Sequence, residues 1–279
     1  MSLTGPGVWG EPRDRREAQR VLQRAVELGV DFFDTADSYG PQVAESLLGE
    51  TLHPNDGIVV ATKAGLMRSG PGRWSRNGRP EHLRSSCHAS LARLRIEQID
   101  LFQLHAVDPH VPIEESLGAL ADLRREGVVR HVGVCNVDVE QLLRALAVES
   151  VVSVQNRFSL ADRSSRGVLD LCAARGLVFV AWAPLAKGTL TFGDALNAVG
   201  ARHGATAAQI SLAWLLAQSP AALPIPGTSS VSHLEENAGA LNVSLTSDDL
   251  ATLDRTAFSM PTRGKAGAAR RALRRLVSR

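Results

Sequence analysis

One tyrosine and three lysines serve the whole chain of 279 residues. Where each of those four stands therefore carries unusual weight. Cysteine is equally scarce: Cys87, Cys135 and Cys172 are odd in number and lack CxxC spacing. That excludes a disulfide framework and a cysteine zinc site, and points to reduced thiols in the cytoplasm. No apolar run approaches the ~20 residues that cross a bilayer. Met1 is not followed by a basic and then apolar leader, so neither a membrane anchor nor export is expected. Acid is missing from one stretch only. After Thr262 come seven basic residues (Arg263, Lys265, Arg270, Arg271, Arg274, Arg275, Arg279), and taking them away turns the net charge of +2 into −5. Residues 1–262 thus form the domain and 263–279 a basic C-terminal tail. No aromatics interleave the tail's charges, so a solvated extension is expected, with nucleic acid not among the partners.

What the chain has in abundance is alternation. From residue 13 onward, helical spacing and short apolar runs take turns. Helices are expected at 13–28, 41–52, 80–95, 112–126, 138–148, 163–175, 206–218, 231–240 and 247–257. Strands are expected at 30–33, 57–62, 99–104, 128–134, 151–155, 177–182 and 222–225. The strands are rich in Val, Ile and Phe and apolar on both faces, as in a buried parallel sheet. A doubly wound open sheet fits such a pattern. Seven evenly spaced β/α units closed by two extra C-terminal helices fit a (β/α)8 TIM barrel better, its first strand missing or incomplete. Residues 64–79 read as a long loop around Trp74, the expected substrate cover, and an irregular stretch follows Pro184.

The three earliest strands end in ionisable groups. Asp34 and Tyr39 follow the first, Lys63 ends the second and His105 the third. A parallel barrel gathers its catalytic groups at that rim. A phenol titrates near pH ~10 and needs a neighbouring cation to become a usable acid; Lys63 is the cation expected to lower it. Gly5-Pro6-Gly7-Val8-Trp9-Gly10 matches GxGxxG, but neither a strand nor a helix frames it, so it is no dinucleotide fingerprint. It reads instead as a flexible loop with Trp9 near the pocket.

The strings FDTADSYG, ATKAG and DLFQLHAVDP carry Asp34, Tyr39, Lys63 and His105, and in these the chain resembles the aldo-keto reductase superfamily from about residue 4 to 257. The resemblance implies reduction of a small aldehyde or ketone by hydride transfer from NADP(H), with NAD(H) as the alternative, and no metal. Tyr39 would be the general acid, Lys63 paired with Asp34 would support it, and His105 would orient the carbonyl. It also implies cofactor contacts at Asn136 and Gln155, with Cys135 where the family more often has serine. Trp182 would stack on the nicotinamide. Pro184, Leu185, Lys187 and Gly188 would run under the pyrophosphate. Pro226, Gly227, Thr228, Ser229, His233, Glu236 and Asn237 would meet the 2′-phosphate and adenine. Gly227 and His233 stand where relatives often carry lysine and arginine, which weakens the expected preference for NADPH.

Relatives in that family begin with a floor hairpin and a first strand, and this chain enters at about the end of that strand. Strands 30–33 and 222–225 are therefore expected to keep one unpaired edge each. A second reading follows from that gap: a nicotinamide-binding sensor or regulatory subunit that retains the fold and turns over poorly.

Overall fold

The computed structural model describes residues 3–52, 57–186 and 194–256. The basic tail lies outside the described residues, as do Lys187 and Gly188.

The first helix shows how the sequence sets its own boundaries. The Asp14 carboxylate accepts from the Glu17 amide and opens α1 (Arg15–Glu27), whose Ala18, Val21, Leu22 and Ala25 form the buried stripe. Gly29, at φ 82°, turns the chain away. The rhythm then runs β1 (Phe32–Asp34), α2 (Val43–Thr51), β2 (Val59–Ala64), β3 (Leu66–Gly70), β4 (Arg73–Arg76), α3 (Pro80–Leu94), β5 (Ile99–Leu104) and α4 (Ile113–Arg125). It continues with β6 (Val129–Cys135), α5 (Val139–Val148), β7 (Val151–Arg157), α6 (Arg166–Arg175), β8 (Val178–Trp182), α7 (Asp194–His203), α8 (Ala207–Ala217), β9 (Ala222–Pro224), α9 (Val231–Ala238) and α10 (Ser247–Arg255). Reciprocal side-chain and backbone bonds open α5 (Asp138 with Gln141), α8 (Thr206 with Gln209) and α10 (Thr246 with Asp249).

Seven strands pair in parallel in the order β1-β2-β5-β6-β7-β8-β9, a curled sheet wrapped by helices. The expected barrel is present, and so is its gap: among the described residues β1 pairs only with β2 and β9 only with β8. The outer ring does close. The Arg24 guanidinium of α1 meets Glu235 of α9 at 2.8 Å. Val231 and Leu234 of α9 pack on a cluster that holds Leu3, Leu22, Phe33, Leu47 and Val60. The larger core, from Phe102 through Phe158 and Phe179 to Trp214, fills the space under the other helices.

Two expectations need correction. Residues 64–79 are not a structureless loop; they fold into an antiparallel hairpin, β3–β4, with Arg68 opposite Trp74. The irregular stretch after Pro184 gives way to α7, whose Gly200 hid it from the helical pattern. A Cβ at Gly200 would fall 2.6 Å from the Ala205 carbonyl oxygen, so a close approach, not a break, requires the glycine.

Candidate active site

Strand register brings the ionisable residues to one rim. Asp34 ends β1 beside Ala61 of β2, Lys63 of β2 lies opposite Gln103 of β5, and the His105 amide continues that ladder to the Ala64 carbonyl at 2.8 Å. Lys63 is fully buried. Its ammonium donates to Asp34 Oδ2 and to the Thr35 carbonyl, both at 2.7 Å. Burial alone would discharge it, but Asp34 and the neighbouring phenol raise its pKa above the ordinary lysine value. The ammonium lies 5.2 Å from the centre of the Tyr39 ring, and that ring meets the His105 imidazole edge to face at 5.7 Å.

The phenol is not acidified as expected. Burial lifts the pKa of half-buried Tyr39 above 10, and the Lys63 charge offsets only part of that. The structure therefore holds a protonated phenol beside a fixed cation. Burial, reinforced by Lys63, pushes His105 well below 6.5, so the imidazole is neutral. A neutral imidazole and a protonated phenol are both hydrogen-bond donors toward a carbonyl oxygen.

Several supports were missed in the sequence. Gln155 was read as a cofactor contact, yet its Nε2 donates to Asp34 Oδ1 at 2.7 Å and to Gln103 Oε1 at 3.3 Å. Gln103 in turn donates to Ser153 Oγ at 3.1 Å. A polar residue inside the apolar run of β5 was the available signal. A Cβ at Gly133 would sit 2.5 Å from Ser153 Oγ, so this network packs against bare backbone. Behind Lys63, the fully buried Glu45 accepts from Thr62 Oγ1 at 2.5 Å and from Arg93 Nε at 2.7 Å. Asp37, two residues before Tyr39, has a buried Oδ1 without a partner. Burial, with the Glu45 charge, pushes its carboxyl up to about 7.

The remaining expected positions continue around the rim. Asn136, held at φ 56°, donates to the His105 carbonyl at 2.9 Å and accepts from Trp182 Nε1 at 3.0 Å, so it joins the His105 end of the rim to the indole. Cys135 is buried, and burial raises its thiol, which stays protonated. Beyond Asn136 an open cavity of about 430 Å³ extends between the starts of α5 and α6, past Asp138, Asn156 and Ser165. Pro184 is buried and Leu185 half-buried directly after β8. Pro226 and Thr228 are half-buried, Gly227, Ser229 and His233 exposed, and Glu236 and Asn237 half-buried along α9. Trp74 stands apart on the hairpin, 43% exposed. The Val231 amide at the start of α9 donates to Glu17 Oε1 at 3.4 Å, a carboxylate that the sequence reading did not place there.

A parallel barrel with a buried lysine–aspartate pair, a phenol and an imidazole at the carboxyl ends of three neighbouring strands has the architecture of an enzyme. Comparison with known proteins gives the class a family. The model of the aldo/keto reductase family matches residues 1–257, and the chain belongs to that family of oxidoreductases. It is 46% identical over 255 residues to an uncharacterised oxidoreductase of Schizosaccharomyces pombe, covering 91% of this chain and 83% of that one. It is 40% identical over 261 residues to pyridoxine 4-dehydrogenase of Escherichia coli, covering 91% of each. An aldo-keto reductase from Klebsiella pneumoniae, solved in complex with NADPH, superposes with a TM-score of 0.77 at 28% identity, covering 94% of this chain and 92% of that one.

Proposed function

We propose that the protein reduces an aldehyde or ketone to the alcohol with NADPH as hydride donor and Tyr39 as general acid. The observation that carries this reading is the buried Lys63 ammonium, locked to Asp34 at 2.7 Å and set 5.2 Å from the Tyr39 ring. When bound, the reduced nicotinamide supplies the hydride. The protein's own residues do the rest. Neutral His105 and the Tyr39 hydroxyl converge on the carbonyl oxygen and polarise the bond. Tyr39 gives its proton to the oxygen as negative charge develops there, and Lys63 stabilises the phenolate left behind.

The donor set around the rim fits a nicotinamide cofactor. The Trp182 face is half-buried and its Nε1 is held by Asn136, so the indole is pre-set for stacking. Asn136 offers an exposed amide, Gln155 acts from behind through Asp34 with its amide already donated, and the Pro184-Leu185 and Pro226 to Ser229 segments with His233, Glu236 and Asn237 of α9 would line the path of the remainder of the cofactor. For the choice of NADPH over NADH, α9 offers a helix start to a phosphate, while the Glu17 carboxylate on its first amide opposes it.

The test is a comparison of wild type with Tyr39→Phe, mixed with NADPH and an activated aromatic aldehyde, following absorbance of the reduced cofactor. Loss of general acid catalysis lowers kcat by about 10²- to 10⁴-fold, with NADPH affinity retained. The second reading, a nicotinamide-binding sensor of poor turnover, is favoured by the edges of β1 and β9, which pair with no further strand among the described residues. Equal, slow oxidation of NADPH by the two proteins would establish it and remove the first.

A further inference from the structure

The β3–β4 hairpin is the part of the rim that this chemistry leaves without a role. Between Lys63 and Glu81 the sequence holds four arginines, Arg68, Arg73, Arg76 and Arg79, and no acid. The domain beneath carries net negative charge, so this basicity is local to the overhang. Arg73 and Arg76 are exposed on β4. Arg68 faces the other way. Its Nη1 donates to the Val8 carbonyl at 2.7 Å and its Nη2 to the Gly7 carbonyl at 3.0 Å. The same Val8 oxygen accepts from the amide of Gly40, the residue after Tyr39, at 3.4 Å. A single carbonyl therefore separates this guanidinium from the backbone beside the candidate general acid.

The surroundings of Arg68 are aromatic. Its Cζ lies 3.8 Å from the centre of the Trp74 ring and 5.5 Å from that of Trp9. Its Nε is enclosed and has no acceptor. An enclosed charged donor without a partner is unfavourable. The Nε edge of a guanidinium is also the side that receives a carboxylate in a bidentate pair.

We propose that Arg68 is a specificity residue that receives a carboxylate carried by the carbonyl substrate, with Trp9 and Trp74 as the flanking walls. The inference rests on the reductase reading above and deepens it: the substrate class is an aldehyde or ketone bearing a carboxylate remote from the reacting carbon. Trp74, 43% exposed at the tip of the overhang, is the wall that turns aside to admit the anion. The exposed arginines raise the local concentration of anionic substrate before it docks. Two carbonyls already orient the guanidinium, so little of its side-chain freedom is lost on binding. The bonds made and broken are those of the reduction itself, and Arg68 keeps its protons throughout.

The experiment compares 4-formylbenzoate with its methyl ester, which differ in charge near one end, using the whole protein at saturating NADPH. Wild type is expected to favour the acid in kcat/KM by about 10-fold at low salt, an advantage that added salt erodes. Arg68→Met should bring that ratio to about one or below, acting through KM, and Arg68→Lys should keep part of it. Arg73→Gln/Arg76→Gln, at exposed positions outside the anchoring bonds, should flatten the salt dependence for the acid. If circular dichroism shows Arg68→Met unfolded, Arg68→Lys decides the matter, a drop in the acid-to-ester ratio supporting the assignment and an unchanged ratio overturning it. The inference fails if wild type reduces the ester as well as the acid, or if Arg68→Met loses both substrates equally, as a purely structural strap would. It also fails if Arg68→Met weakens NADPH binding in place of changing the ratio, which assigns the anion to the cofactor's phosphates. In each of those cases a Tyr39-dependent reduction of the ester leaves the reductase reading standing. Reduction of neither aldehyde removes both.

Discussion

Gln155 reaches Asp34 across 121 positions of sequence, its Nε2 donating to Oδ1 at 2.7 Å while Lys63 holds Oδ2 at the same distance. Both carboxylate oxygens are thus committed inside the sheet. Lys63→Met leaves that carboxylate buried without a cation, a change expected to cost about 3–5 kcal/mol. Asp34→Asn/Lys63→Met, which removes both charges, should regain most of the loss. Urea midpoints of the two variants check this, and equal destabilisation would refute the coupling. Gln155→Leu should cost about 1–2 kcal/mol by stripping one donor from a buried acceptor.

Asp37 makes stability depend on pH. Its carboxyl is raised from 3.8 to about 7 in the folded chain. The folded state therefore holds a proton that the unfolded state has released, and stability falls as pH rises from about 4 to about 7. Asp37→Asn removes the ionisation. It should stabilise the protein by about 1 kcal/mol or more at pH 8 relative to its effect at pH 4, measured as the difference between thermal unfolding curves at the two values. A gain independent of pH would show that the group is not titrating in this range.

Under the proposed placement of the cofactor, Glu17 opposes a phosphate at the start of α9. Its Oε1 accepts from the first amide of α9, and its Oε2 pairs with Arg20 at 2.5 Å. A carboxylate there satisfies the helix start and repels a phosphate brought to it. Glu17→Gln keeps the acceptor and removes the charge, so it should shift the ratio of KM for NADH to KM for NADPH toward NADPH by about 3- to 10-fold, equivalent to about 0.6–1.4 kcal/mol. An unchanged ratio would place the 2′-phosphate elsewhere.

Asp249 holds α10 to α7. It accepts from Arg202 of α7, from His203 Nε2 at 2.7 Å and from Thr246 Oγ1 at 2.7 Å, and it is 2% exposed. Bonds from Arg202 and then His203 lower its pKa below 3.8. The stability it contributes is present above 3.8 and is lost as pH falls toward the native value. Asp249→Ala should cost about 2–4 kcal/mol at pH 7, and the gap between variant and wild type should narrow in acid.

The sequence made the alternation of elements legible because buried parallel strands are short, apolar on both faces and bounded by helix caps. Seven strands were expected and seven pair in the main sheet. The hairpin escaped because it leaves the core: β4 is exposed along its length, and the Arg68–Trp74 pair holds it where no apolar alternation does. Helix α7 escaped because Gly200 reads as a breaker until its neighbour Ala205 is placed. At the site, Asp34, Tyr39, Lys63 and His105 were legible from their local strings. The electrostatics were not, because the dehydration that keeps Tyr39 protonated comes from strands distant in sequence. The partners of Gln155 and Glu17 were not legible for the same reason: they lie 121 and 214 positions away.

The helical wall is continuous where α1 meets α9, while beneath it no strand among the described residues joins β1 to β9. Amides of β1 and β9 on that side have no strand partner among the described residues, whereas β5 and β6 are paired on both sides. Deuterium should label Phe32–Asp34 and Ala222 to Leu223 long before the middle of the sheet, making that side the place where the folded protein first comes apart.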